Sequence, residues 1–127
     1  MRSLWILLGL LGLAAVALGA YGSHAAVFAD TRAQAIFDTA VRYHFAHLPA
    51  LGLAALIGGL MPAAARRAGI AGVLFLAGML LFCGPLYLKA LGQADITNPL
   101  APAGGFLLMA GWLALAWAGI GARRPGA

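Results

Sequence analysis

Three histidines are the residues of this sequence best suited to chemistry. His44 and His47 are three positions apart, so on a helix both imidazoles can reach one ion, and His24 could supply a third ligand if its segment packs alongside. Zinc and copper sites use three or four such ligands. No HExxH motif, cysteine cluster or neighbouring carboxylate supports a metal centre. We therefore expect histidines at a membrane interface that hydrogen-bond to backbone or water, and we predict no cofactor.

His47 is the histidine for which a specific partner is expected. It lies about one turn inside an apolar segment, just before Pro49, and an unsatisfied polar group there costs about 1–3 kcal/mol. Candidate partners are Tyr21, Tyr87 and the backbone carbonyl freed by Pro85. We interpret His47 as a polar contact that joins helices near their outer ends, and a proton or ligand site is the alternative. The residues of this candidate polar or ligand site are His47, Tyr43, Tyr87, Tyr21, Gly84, Gly104 and Gly105.

The acidic residues offer no catalytic arrangement. All three, Asp30, Asp38 and Asp95, fall in predicted outer segments, and the sequence contains no nucleophile, base and orienting residue in a recognisable pattern. The single cysteine, Cys83, excludes an intrachain disulfide and is expected to be a small buried hydrophobic residue. We predict that the protein is not an enzyme.

Composition identifies lipid as the main solvent. Hydrophobic residues make up 64% of the 127 residues and charged residues 9%, and the mean hydropathy is +0.97. A soluble domain carries about 25% charged residues, so this chain cannot cover a water-facing surface. The formal charge of +5 is scattered over segment ends, without the basic stripe of a nucleic-acid-binding protein. We expect no nucleic-acid partner.

Four apolar stretches are long enough for the roughly 20 residues that a spanning helix needs. They cover about residues 4–22, 43–61, 68–89 and 100–121. Residues 30–42 predict a short amphipathic helix at the interface, with Asp30 or Thr31 as its N-cap. The predicted fold class is an all-α membrane protein, a single domain over 1–127, with four helices in an antiparallel bundle. Pro85 predicts a kink or an early end of the third helix.

The basic residues set the expected orientation. Four spans place both termini and the middle loop on one side, which holds five arginines and no acid, whereas the other side holds three basic residues and all three acids. Because cytoplasmic loops are enriched in lysine and arginine, we expect an inner-membrane protein with both termini in the cytoplasm. The five arginines are Arg2, Arg66, Arg67, Arg123 and Arg124, and the three outer basic residues are Arg32, Arg42 and Lys89.

Four motifs together resemble one family of small membrane proteins. They are GAYGSHA at 19–25, YHFAHLPAL at 43–51, LFCGPLYLKAL at 81–91 and PLAPAGGFLLMAGW at 99–112. In order and spacing they resemble the domain of unknown function 423, which includes the transmembrane protein 256-like proteins. The resemblance covers nearly the whole chain and implies a four-span membrane protein without an established reaction. Where the family has alanine, two serines and threonine, this chain has Ser23, Cys83, Pro85 and Ala101.

These observations predict a structural or accessory role in the membrane. Small residues let helices pack closely in lipid, and they recur at positions 12, 15 and 19 and at 110, 114 and 118. We expect association with membrane lipids, with a second copy or with a larger membrane complex. A small transporter or channel with a site near the outer ends of spans two and three is the first alternative, because Gly84–Pro85 and residues 101–106 can interrupt helices there. Metal handling by the outer histidines is the second.

Overall fold

The chain folds into four long α-helices. A computed structural model describes residues 2–24, 28–93 and 99–121. The helices are α1 (Arg2–His24), α2 (Thr31–Leu60), α3 (Ala65–Ala90) and α4 (Leu100–Gly121), with a 3₁₀ turn over Pro62–Ala64 between α2 and α3. Each helix is long and apolar enough to cross a membrane, and no strand occurs among the described residues. The predicted all-helical fold with four candidate spans is confirmed. Asp95, Arg123, Arg124 and the side chain of Arg2 lie outside the described part of the chain.

α2 joins the predicted interfacial segment and the second span in one helix. Of the two predicted caps, Asp30 and Thr31, the structure has Asp30, whose carboxylate accepts a hydrogen bond from the Ala33 amide at 2.8 Å. The helix continues through residue 43 without a break, since one buried face runs along most of its length. The buried residues are Phe37, Ala40, His44, His47, Ala50, Leu51 and Ala54. The segment 30–42 is therefore the N-terminal part of α2 and not a separate helix.

The helix end expected at Pro85 is wrong. α3 passes through the buried Pro85 and continues to Ala90. In spanning helices the surrounding protein compensates for the hydrogen bond that proline removes, and α2 and α4 both pack against α3. α4 likewise starts at Leu100 and runs through Pro102. That proline lies in the first turn, where its missing N–H would have no helical partner.

α3 is the central helix of the fold, and it packs extensively against both α2 and α4. Aliphatic and aromatic side chains fill the space between these three helices. The buried members of this core are Ala50, Leu51, Ala54, Ala71, Phe75, Met79, Leu108, Ala114 and Leu115. Cys83 is also buried, at 3% exposure, as expected of a small hydrophobic residue.

Glycines bring α3 and α4 into close contact. A Cβ atom added at Gly104 would overlap the backbone of Leu81 and Phe82. At Gly78 an added Cβ would lie 2.9 Å from the backbone nitrogen of Leu108, on the facing helix. Such distances leave no room for a side chain, so the two backbones approach each other as they do at small-residue contacts in membranes.

α1 is attached more loosely than the other helices. It packs mainly against α2, where an added Cβ at Gly19 would meet Val41 and one at Gly22 would meet the ring of Phe37. Only 6% of the residues in its most apolar stretch are buried. Of the small residues expected to pack on α1, Ala15 is buried and Gly12 faces open space.

An alanine at position 104 should destabilise the fold, because its Cβ would overlap the α3 backbone. We expect Gly104→Ala to lower the free energy of unfolding by about 1–3 kcal/mol. Gly52→Ala is the matched control, since a Cβ there meets nothing within 4 Å and alanine favours helix by up to about 1 kcal/mol. Unfolding with sodium dodecyl sulfate in mixed micelles measures both. Equal effects of the two substitutions would contradict the close contact.

Candidate functional site

His47 sits at the centre of a contact between α2, α3 and α4. Its side chain is 6% exposed, and its ring lies 5.9 Å from the ring of Phe75 on α3 and 6.0 Å from that of Trp112 on α4, measured between centroids. The residue reaches this position because it belongs to the buried face of α2, three residues after His44 and three before Ala50. A polar ring is thus held in the apolar core.

Both nitrogens of the His47 ring have hydrogen-bond partners within the protein. The indole Nε1–H of Trp112 donates to His47 Nε2 at 3.2 Å. The Nδ1 atom lies 2.8 Å from the backbone carbonyl oxygen of Tyr43. Indole can only donate and a carbonyl can only accept, so Nδ1 carries the proton and the ring is neutral. A ligand atom could reach either ring nitrogen only by displacing one of these two hydrogen bonds.

Aromatic rings from α2, α3 and α4 surround the His47 imidazole. The Tyr43 ring stacks on the imidazole at 5.8 Å with an angle of 16° between the planes, and it also contacts Phe82 at 4.7 Å. Phe75 and Trp112 meet edge to face at 5.2 Å. Offset and edge-to-face pairs of this kind stabilise by about 0.5–1.5 kcal/mol each. The rings therefore hold the imidazole in a fixed orientation.

A groove of about 540 Å³ lies next to this cluster. Its lining is mainly apolar, and residues of α2, α3 and α4 contribute to it. Lining residues include Tyr43, His47, Phe82, Gly105, Phe106 and Trp112. The groove is open along one side, and Phe106 is 70% exposed at its edge.

A second histidine contact lies closer to the N-terminal end of α2. His44 Nδ1 and the hydroxyl of Tyr87 are 3.2 Å apart, which links α2 to α3. Tyr87 also meets the ring of Phe37 at 5.0 Å, and Phe37 contacts Tyr21 and Phe28 at 6.1 and 5.1 Å. α1, α2 and α3 are thus joined near this end by one aromatic cluster, which also includes the residue Phe28 before α2.

The structure brings together only part of the predicted site. Tyr43, His47 and Gly105 line one groove. Tyr87 instead pairs with His44, Tyr21 packs on Phe37, and Gly84 faces open space. Gly104 serves the close contact of α4 with α3.

The partner of His47 is the main correction. Tyr21, Tyr87 and the carbonyl freed by Pro85 were the expected partners, and all three are wrong. The observed donor is Trp112, the last residue of the fourth family motif. The sequence signal for this partner is the residue type, because a tryptophan in lipid needs an acceptor for its N–H. The chain has three tryptophans, so the type narrows the choice of partner without deciding it.

The histidines do not assemble a metal centre in the part of the chain that the structure describes. There, no group of three or more His, Cys, Asp or Glu side chains is placed to hold one ion. His24 is exposed at the end of α1, beside a crevice that it shares with Asp38 and Arg42. His44 and His47 each make the other contacts described above.

Residues 18–105 match a family model described as "Protein of unknown function (DUF423)". The chain belongs to this family. The resemblance inferred from the four motifs is therefore confirmed. The matched range contains both histidines of the site and Gly104, but it ends before Trp112.

Relatives of this DUF423 chain are named as membrane proteins. It is 36% identical over 115 residues to a UPF0382 membrane protein of Staphylococcus haemolyticus, covering 88% of this chain and 91% of the relative. It is 32% identical over 124 residues to the UPF0382 membrane protein YwdK of Bacillus subtilis, covering 91% and 95%. A UPF0382 membrane protein of Haemophilus influenzae is 32% identical over 112 residues, covering 87% and 88%. No solved structure matches the chain. The DUF423 protein is thus a membrane protein with four candidate spanning helices.

Removing either side of the His47–Trp112 hydrogen bond should reveal a coupling between the two residues. We expect a double-mutant cycle of His47→Leu and Trp112→Phe to give about 0.5–2 kcal/mol of coupling in the free energy of unfolding, the range found for hydrogen bonds between helices in membranes. Trp5→Phe, on the partly exposed Trp5 of α1, is the control and should not couple to His47→Leu. A cycle with Trp112 that is as additive as the control cycle would show that this bond does not form.

Proposed function

We propose that this DUF423 protein is a non-enzymatic, structural or accessory component of the inner membrane, which associates with a second copy, with lipid or with a larger membrane complex. The proposal rests on the hydrogen bonding of the core, in which every buried polar side chain of the described residues has a partner. Among the described residues, the buried polar side chains are His44 and His47. No buried side-chain nitrogen or oxygen there lacks a hydrogen-bond partner.

A core whose polar groups all have hydrogen-bond partners favours a structural role over a catalytic or transport role. Catalytic and transport sites keep polar or ionisable groups available to a substrate at depth in the membrane. In this chain the buried polar groups are engaged with each other, with backbone or with indole. The buried core between α2, α3 and α4 consists of apolar side chains, and the groove beside His47 has a mainly apolar lining.

Helix continuity also weighs against the transporter alternative. That alternative needs interrupted helices around Gly84–Pro85 and around residues 101–106. α3 and α4 run through these positions as unbroken helices. Metal handling receives no support from the described residues, for the reason given above.

α1 supplies the surface through which association would occur. Leu10, Leu13 and Val16 are each more than half exposed, and a Cβ added at Gly9 or Gly12 would meet nothing within 4 Å. Small residues on an exposed spanning helix allow another helix to approach closely. α1 therefore has the composition of a contact face that this chain leaves open.

The proposed arrangement in the membrane is an antiparallel bundle with both termini in the cytoplasm. Contacts between sequence-distant residues support it: Gly22 meets Phe37 near one end, whereas Arg67 meets Trp117 near the other. α2 is about 45 Å long at 1.5 Å per residue, against a hydrocarbon core of about 30 Å. This length lets its N-terminal part, residues 31–42, extend beyond the hydrocarbon core at the outer interface.

Reporter fusions test the orientation. We expect a green fluorescent protein fused after Ala127 to fluoresce, since the arginine-rich end should lie in the cytoplasm. Alkaline phosphatase joined after Gly92 should be active, because that loop should face outward. Activity of the phosphatase at the C-terminus, with none after Gly92, would reverse the proposed orientation.

Intact mass spectrometry of the protein extracted together with its native lipid tests the association. We expect an assembly that contains a second copy or another membrane protein. Gly12→Leu should shift it towards the single chain, because leucine blocks close approach on α1. Gly119→Leu is the control, since Gly119 is equally open but lies on α4. A wild-type chain recovered alone and without lipid would remove the proposed role, and an assembly unaffected by Gly12→Leu would remove α1 as its contact face.

A further inference from the structure

A second groove lies at the end of the molecule opposite the aromatic cluster. It runs between the first residues of α1, the last turns of α2 and the first turns of α3, and its volume is about 270 Å³. Four glycines and four alanines make up most of its lining, and the rest is Leu4 of α1, Leu51 of α2, and Val73 and Leu76 of α3. Along α3 it extends from Ala65 to Leu76, about 16 Å at 1.5 Å per residue. The groove is therefore narrow, long and apolar.

These dimensions suit a hydrocarbon chain. An apolar cavity of about 150 Å³ already accepts a molecule of benzene, so this groove can hold a stretch of acyl chain. A helix with its side chains is about 10–12 Å wide and would not fit within this volume along 16 Å. Gly69 keeps the groove open, because a Cβ built there meets nothing within 4 Å.

A basic residue, Arg66, adjoins the lining residue Ala65 at the start of α3. Arg66 is exposed, and it precedes the groove residue Val73 by seven positions, so it lies on the same face of α3. Its neighbour Arg67 is held elsewhere, with its guanidinium 4.8 Å from the centre of the Trp117 ring. By sequence, this end of the four helices carries five arginines and none of the three acids.

The start of α3 adds to this charge. Ala64 at its N-cap makes no side-chain cap hydrogen bond. The first N–H groups of a helix and its dipole favour a negative group at that end. The Ala65 N–H already donates to the Pro62 carbonyl in the 3₁₀ turn, so an anion beside Arg66 would meet the guanidinium and the positive end of the α3 dipole.

We propose that this groove holds one acyl chain of an anionic glycerophospholipid, whose phosphate lies against Arg66. Basic pockets between spanning helices on the cytoplasmic side recognise the headgroups of such lipids. The inference deepens the lipid association of the proposed function and rests on it, including the cytoplasmic position of this end. It assigns the lipid to a site distinct from His47 and from the open face of α1.

Native mass spectrometry of the purified protein in nanodiscs tests this site. The nanodiscs contain phosphatidylglycerol and phosphatidylethanolamine in equal amounts. We expect the wild-type chain to retain one phosphatidylglycerol about fivefold more often than one phosphatidylethanolamine, the preference that one basic residue gives near an anionic headgroup. Gly69→Leu should abolish retention of either lipid, and Arg66→Gln should retain lipid without the preference. Gly119→Leu, which adds the same side chain at an open glycine outside the groove, should behave as wild type.

Three results would overturn the inference. The first is equal retention of the two lipids by the wild type. The second is the same loss of lipid in Gly69→Leu and Gly119→Leu while circular dichroism shows both folded. The third is a dimer that Gly69→Leu dissociates, which would assign the groove to a second copy. The nanodiscs contain no other protein, so a negative result for lipid retention does not count against an assembly seen in native extracts. Conversely, lipid retention can still be measured if no such assembly is found.

Discussion

The packing of α2, α3 and α4 depends on the two hydrogen bonds of His47. Hydrocarbon offers no partner to a polar group, so every donor and acceptor at depth must be satisfied inside the protein. The imidazole meets this constraint by donating to the Tyr43 carbonyl on its own helix and accepting from Trp112 on α4. α2 and α4 are joined by this bond, and both pack against α3. The contact needs α4 to lie close to α3, which Gly104 and Gly78 allow.

The molecule therefore has a closely packed part, formed by α2, α3 and α4, and a more exposed part, formed by α1. α2, α3 and α4 share a core in which polar atoms are paired and space is filled by apolar side chains. α1 is held mainly by α2, near the aromatic cluster, and its other end borders the glycine-lined groove with Leu4. This division is the basis of the proposed contact role. Both ring nitrogens of His47 are engaged in hydrogen bonds within the protein, whereas the surfaces of α1 and of the glycine-lined groove are open to lipid or protein.

Sequence predicted the elements better than the contacts. Four apolar stretches, the Asp30 cap and the buried Cys83 follow from composition and local chemistry, and each agrees with the structure. Pro85 was misleading, because local propensity cannot anticipate that packing on neighbouring helices carries α3 to Ala90. The need of His47 for a partner was predictable from the cost of burial, but the partner was not. Trp112 lies 65 positions away, and periodicity alone does not say which helix face turns towards α2. Sequence alone does not distinguish Gly84 from Gly104, yet of these two glycines only Gly104 faces the backbone of a neighbouring helix.

The protonation state of His47 in a bilayer tests the central claim most directly. Solid-state nitrogen-15 NMR of histidine-labelled protein, with the His47 signals assigned by their loss in His47→Leu, reports which ring nitrogen carries the proton. The hydrogen-bonded arrangement requires a neutral ring with the proton on Nδ1 and an Nε2 signal that shifts when Trp112 is replaced by phenylalanine. A proton on Nε2, or an Nε2 signal indifferent to that replacement, would contradict it.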